Sequence, residues 1–432
     1  MSFSASLNLT PGNVSASASV GPPKMMGWIP LDHTVMHDWL EDKLKEVRSV
    51  DVKERRFARS EILNDFAYDI RKSKELRLYF GAMFEQIPDN RCKITDYEEM
   101  LDIFDLLLKT APKYEGSDDV PIGVPFYVTL HQALSQPTGF SAFANDRVNY
   151  HLKRIFDKWA ELLNSPLSTD VLHSGPNGWF GERAMAKYAG SFEELFVCDK
   201  TKPAWGFKSW DHFFTREFLP HVRTIPDDVA ADASAIVAAC ESQLYFQGGD
   251  LKATDRFWLK GQIYSLADML RTADGEARFV ERFLGGTVVQ GFLSPMDYHR
   301  WHAPVDGTVV AAYNVPGTYY AAFPPTSEGT SLLDNQGFLT AFATRALVFI
   351  EADNPTIGMV CLIAVGMAEV STCEVTVQAK DTVRKGDQLG MFHFGGSSHC
   401  LLFGPQVKLD FACNVDDKIT LRSQIATAKP KN

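Results

Sequence analysis

The chain has 432 residues, 45% of them hydrophobic and 22% charged, proportions of a globular protein with enough material for two or three domains. Its formal net charge of −11 argues against nucleic acid as the main partner and does not favour binding to anionic membranes. No apolar run reaches the ~18 residues that span a bilayer, and the longest, at 357–368, reads as a buried strand.

Residues 1–24 are rich in Ser, Ala, Gly and Pro, lack the basic start and apolar stretch of a secretory signal, and are expected to form a disordered tail. The seven cysteines are scattered without a CxxC pair, so neither a disulfide framework nor a thiolate zinc site is expected, and the natural compartment is the reducing cytoplasm. Residues 25–200 carry helical periodicity: "HDWLEDKLKEV", "MLDIFDLLLKTA" and "RVNYHLKRIFDKWAELL" each set apolar residues three and four apart. In the last, Tyr150, Leu152, Ile155, Phe156, Trp159 and Leu162 are expected mainly on one face. The turn signals "YEGSDDVP" and "SGPNG" separate the helices. From about residue 201 the texture changes to short runs rich in Val, Thr, Phe and Ile: "GGTVVQGFL", "GTVVAAY", "ALVFI", "MVCLIAV" and "CEVTVQ". Turns at "VDG", "VPG" and "RKGDQ" interrupt them, which predicts antiparallel strands, and Cys373, Val375 and Val377 alternate as a half-buried strand should. The expected fold class is α+β, a helical N-terminal domain over 25–200 followed by a largely antiparallel β domain over 201–432.

Two segments carry chemistry. "KGDQLGMFHFGGSSHCLLF" places Gly395 and Gly396 before Ser397 and Ser398, between two strand-like runs. Glycine tolerates strained backbone angles and leaves its carbonyl open, so a serine that follows it can attack that carbonyl and form an ester by N-to-O acyl shift. β-Elimination from the ester leaves dehydroalanine, which hydrolyses to a pyruvoyl group and ammonia. Taken alone, the same four residues read as a hairpin turn. The second segment, "GFLSPMDYHRWHAPVDG", holds His299 and His302 three residues apart. Imidazoles at this spacing suit a general base and a general acid, and equally suit incidental structural roles. No acidic or cysteine third ligand lies at a recognisable spacing, so no metal site is expected.

Taken with "FFTREFLP" (213–220), "LKGQIYSLADML" (259–270), "FLSPMDYHRWHAP" (292–304), "VPGTYY" (315–320) and "VRKGDQLGMFHFGGS" (383–397), these segments resemble the phosphatidylserine decarboxylase family, in order, over about 207–411. The resemblance implies a zymogen that cleaves itself between Gly396 and Ser397. The smaller fragment then stays as a second subunit and carries a pyruvoyl cofactor made from Ser397. It implies that His302 activates the serine for cleavage and that His299 serves decarboxylation. The family's aspartate in "PADG" aligns with "AACESQ" (238–243), which assigns Glu241 the task of orienting His302, with Asp306 of "HAPVDG" as the fallback carboxylate. The helical front, with "GFSAFANDRVNYHLKRIFDKW", and the texts "NVPGTY", "FIEADN" and "STCE" resemble soluble fungal members of the family that decarboxylate free aromatic amino acids. The implied substrate is therefore a free L-amino acid, aromatic with tryptophan favoured, converted to its amine and CO2 through a Schiff base, and no integral membrane anchor is expected. Tyr319, Tyr320, Phe323 and Trp301 lie beside the motifs and are candidates to line an aromatic pocket. Phosphatidylserine decarboxylation to phosphatidylethanolamine and an unprocessed scaffold remain alternatives. A Ser-His-Glu hydrolase would need a strand-to-helix elbow at Ser397, where strand-like runs flank both sides.

Overall fold

A computed structural model describes residues 33–88, 94–115, 121–134, 136–188, 190–254, 264–321, 336–370, 372–394 and 397–431. The expected tail, Phe323, and the glycine pair Gly395 and Gly396 lie outside the described residues. The front of the chain folds into α1 (His33–Arg48), α2 (Val52–Ala58), α3 (Glu61–Lys72), α4 (Lys74–Glu85), α5 (Tyr97–Leu107), α6 (Pro125–Leu134), α7 (Pro137–Phe143) and α8 (Asp146–Leu163). Side-chain caps set several of the starts: Ser73 accepts from Leu76 N–H, Asp96 from Glu99 N–H and Asn145 from Arg147 N–H. Each such cap is worth about 1 kcal/mol. On α8 the buried stripe is Val148, Leu152, Ile155, Phe156, Trp159 and Leu163. Tyr150, expected on that stripe, is 61% exposed. It lies two positions from Leu152, roughly 200° around a helix that turns about 100° per residue.

The strands are β1 (Ala235–Val237), β2 (Ser242–Gly249), β3 (Thr287–Leu293), β4 (Arg300–His302), β5 (Gly307–Val315), β6 (Arg345–Ala352) and β7 (Met359–Gly366), then β8 (Thr372–Val375), β9 (Thr382–Val383), β10 (Gln388–His393), β11 (Ser397–Phe403), β12 (Val407–Phe411), β13 (Lys418–Ile419) and β14 (Gln424–Pro430). They form an eight-stranded sheet in the order β13-β2-β3-β11-β7-β6-β5-β9 and two three-stranded sheets, β4-β10-β8 and β1-β14-β12. Every pairing between these strands is antiparallel. The apolar run at 357–368 becomes β7, buried at every position because both faces of the large sheet are covered.

Alternation divides the sheet's side chains between two cores. Cys361, Ile363 and Val365 of β7 face a core that continues into the helical region through Phe104, Phe126 and Trp159. Val360, Leu362 and Ala364 face a second core shared with the small sheets through Trp301, Phe392 and Ala426. The change of texture near residue 201 is thus a change of secondary structure, across which the first core runs without a break. The strands that flank the "GGSS" segment do not pair with each other: β10 pairs with β4 and β8, whereas β11 pairs with β3 and β7.

Candidate active site

Ser397 opens β11, in register with Leu293 of β3 on one side and Gly366 of β7 on the other. It is fully buried, and its Oγ meets no hydrogen-bond partner among the described residues. Ser398 points to the opposite face, where its Oγ accepts from Gln290 Nε2 at 3.5 Å, while Tyr264 donates its hydroxyl proton to Gln290 Oε1. The two serines of the motif are thereby distinguished: one hydroxyl is engaged and the other is orphaned. Two non-glycine residues beside this strand end are left-handed, Phe394 at φ +75° and Ala368 at φ +56°. Such backbone costs of order 1–2 kcal/mol per residue and persists only where surrounding contacts enforce it.

His299 is fully buried, with its ring stacked on Phe214 at 3.9 Å between centroids. Its carbonyl accepts from Phe392 N–H at 2.9 Å, which ties it to β10. Burial, reinforced by the Arg216 guanidinium, holds its imidazole well below the usual range. His302 lies at the end of β4, 3% exposed, and burial lowers its imidazole to about 3. Its Nδ1 donates to the Gly386 carbonyl at 2.8 Å, and its Nε2 accepts from the Tyr298 hydroxyl at 3.2 Å. A carbonyl only accepts, so Nδ1 carries the proton and Nε2 the lone pair. A pocket of about 320 Å³ opens beside this ring, lined by Tyr298, His302, Glu217, Gln388 and Arg422 among others.

The expected contact between Glu241 and His302 is not formed. Glu241 Oε1 is taken by the Arg223 guanidinium and by Leu421 N–H at 3.2 Å, while both His302 ring nitrogens are engaged elsewhere. A main-chain carbonyl fixes the His302 tautomer in place of a carboxylate. Asp306 does not substitute for it, since its Oδ1 accepts from Lys385 N–H at 2.8 Å. The aromatic candidates also separate. Tyr319 and Tyr320 pack against Phe156 and Phe143 between helices and sheet, whereas Trp301 lies in the second core near Phe392.

Two residues of the neighbourhood escaped sequence reasoning. Arg216, 1% exposed, donates through Nη2 to the carbonyls of Met296 at 2.6 Å and Asp297 at 2.8 Å. Its Nη1 reaches the carbonyls of Phe213 and Phe214, both at 3.4 Å, so one cation ties the turn before His299 to the ring beneath it. Glu369, also 1% exposed, accepts from Phe126 N–H of α6 and from the Tyr320 hydroxyl, both at 3.0 Å. Burial overrides these donors and pushes its carboxyl up to about 7. Glu369 is a lone charge in the apolar stretch "VGMAEV", a signal that could have found it, and Arg216 lies within the "FFTREFLP" segment.

No helix among the described residues is long and apolar enough to cross a membrane. Residues 210–427 match the family model for phosphatidylserine decarboxylase, and residues 60–188 match a second model of the same description. Among known proteins, the decarboxylase iboD of Amanita muscaria is 45% identical over 67% of this chain and 87% of that protein. The L-tryptophan decarboxylase of Psilocybe cubensis is 36% identical over 87% of each chain. Phosphatidylserine decarboxylase proenzyme 3 of Schizosaccharomyces pombe is 31% identical over 50% of this chain and 21% of that protein. The buried serine at a strand end and the two buried histidines therefore stand in a carboxy-lyase, and the chain belongs to the phosphatidylserine decarboxylase family.

Proposed function

We propose that the chain is a soluble, cytoplasmic decarboxylase of a free L-amino acid, aromatic with tryptophan favoured, that activates itself by cleavage at Gly396–Ser397 and works through a pyruvoyl group made from Ser397. The observation that carries this reading is the Ser397 hydroxyl: fully buried, at the first residue of a central strand, with no partner among the described residues to hold it back. An unpaired buried hydroxyl costs about 1–3 kcal/mol, so it fits a group reserved for chemistry. The free amino acid is favoured over the phospholipid because the similarity to the Psilocybe L-tryptophan decarboxylase extends over 399 residues, against 218 for the fission-yeast phosphatidylserine decarboxylase.

A pyruvoyl group at this position would supply an electrophilic carbonyl for the substrate amine and a sink for the electrons released with CO2. The chain's own residues do the rest. Ser397 Oγ attacks the Gly396 carbonyl to give the ester. His302, neutral and with its lone pair on Nε2, serves self-cleavage as a base. His299, fully buried against Phe214, serves decarboxylation. Arg216 keeps the Met296–His299 turn in place. The test combines intact mass with an amine-release assay over L-amino acids and phosphatidylserine vesicles. The expected result is a small fragment beginning at the residue derived from Ser397, with amine released from an aromatic amino acid. Ser397→Ala should give one uncut, inactive chain. Cleavage of that variant, or turnover of the vesicles alone, would overturn the reading.

A further inference from the structure

Self-cleavage takes two protons from one serine: the Oγ proton when the ester forms, and the Cα proton when the ester is eliminated. His302 is already bonded at both ring nitrogens, to Gly386 and to Tyr298. A third histidine stands closer in the strand. His399 follows Ser397 by two residues in β11, whose pairing with β3 and β7 is continuous, so both side chains leave the sheet on the same face. That face is the one on which Leu401 and Phe403 enter the second core.

The strand neighbours make room for a ring there. His399 pairs with Gly291 of β3 and Ala364 of β7. A Cβ at Gly291 would lie 2.6 Å from His399 Cε1 and 2.6 Å from Ser242 Oγ, so only glycine leaves this space to the imidazole. Ser242 directly follows Glu241, which brings His399 beside the segment that the sequence had marked as carrying the site's carboxylate. His399 is 5% exposed, and its Nδ1, like Ser397 Oγ, has no hydrogen-bond partner among the described residues. Two orphaned polar atoms, one a hydroxyl donor and the other a ring nitrogen, thus stand two residues apart on one strand face. Burial lowers the His399 imidazole to about 4, which keeps it neutral, with a lone pair on one ring nitrogen.

We propose that His399 is a further catalytic residue of self-cleavage, accepting the Ser397 Oγ proton as the Oγ–C bond to Gly396 forms, and leaving the later Cα proton to His302. The proposal rests on the processing reading above. In this step the hydroxyl proton passes to His399, the ester bond forms, and the C–N bond between Gly396 and Ser397 breaks, with the freed amine taking up the proton. No further reactant is required.

The experiment follows cleavage of the full chain by denaturing gel after cell-free synthesis, for wild type, His399→Phe and His399→Gln. Phenylalanine keeps the ring volume, and glutamine keeps polarity without basicity. Loss of a general base typically slows a reaction ~10²–10⁴-fold, so both variants should remain largely uncut when the wild type is complete. Melting curves of the same substitutions on the Ser397→Ala background should match those of the Ser397→Ala parent for at least one variant, which excludes misfolding as the cause. Cleavage of both variants within about twofold of the wild-type rate would overturn the proposal while leaving the processing reading intact. A wild-type chain that stays whole would remove both.

Discussion

The base role proposed for His302 requires a neutral imidazole, and acid stability reports that state directly. Burial lowers its folded-state value from the ordinary 6.5 to about 3. Below pH 6.5 the unfolded chain therefore binds a proton that the folded chain refuses. This contribution to stability is fully present above 6.5 and is lost as pH falls toward 3. At pH 5 the unfolded histidine is almost wholly charged and the folded one almost wholly neutral, a difference of about 2 kcal/mol. His302→Gln removes the titration while keeping a side chain able to reach Gly386 or Tyr298. The assay is urea unfolding followed by tryptophan fluorescence at pH 7.5 and pH 5. It uses Ser397→Ala as parent, so that the chain stays in one piece. The parent should lose about 2 kcal/mol more than the double variant over this interval. Equal losses would refute the neutral, buried imidazole and with it the role of His302 as a base.

Further tests separate the neighbours. Arg216→Lys keeps the charge but loses the fork that holds Met296 and Asp297, so amine release should fall at least ~10-fold in chains that are normally cut. Glu241→Gln should leave cleavage unchanged while lowering stability by about 1–2 kcal/mol in urea, because its partners are Arg223 and Leu421. Glu369 has its folded value raised to about 7 from 4.5, so its stabilising contribution is complete below 4.5 and lost as pH rises through 7. Between pH 5 and pH 8 the wild type should lose about 2–3 kcal/mol relative to Glu369→Gln, read by urea unfolding on the Ser397→Ala background.

Much of the fold was legible because it depends on local pattern. The 357–368 run announced a strand covered on both faces, and the 3.6-residue stripe of α8 was visible at Leu152, Ile155, Phe156 and Trp159. Less was legible where the deciding partner lies elsewhere in the chain. "GGSS" resembles a hairpin because its flanks are strands, but which strands they pair with is decided by residues 287–293 and 359–366 on one side and by 300–302 and 372–375 on the other. Glu241 was found by its alignment with a carboxylate position, yet Arg223, eighteen residues earlier, claims it. A buried carboxylate goes to whichever cation and amide can neutralise it in place, and no spacing rule in the sequence expresses that competition.

The topology also bears on what a cut at Gly396–Ser397 would do. The smaller fragment would carry β11, β12, β13 and β14. Of these, β11 lies between β3 and β7 in the large sheet, β13 pairs with β2, and β14 pairs with β1. Four separate ladders therefore join the fragment to the rest, and releasing it would expose the centre of the sheet on both sides. The cut frees one peptide bond but not the strand that begins there, so Ser397 would keep its register opposite Leu293 and Gly366. On the β7 side, Gly366 is followed by the left-handed Ala368 and by Glu369, whose carboxyl is bonded to α6. This buried group is one of the contacts by which the helical region reaches the edge of the site. A deletion of that region would expose Glu369 and the first core together.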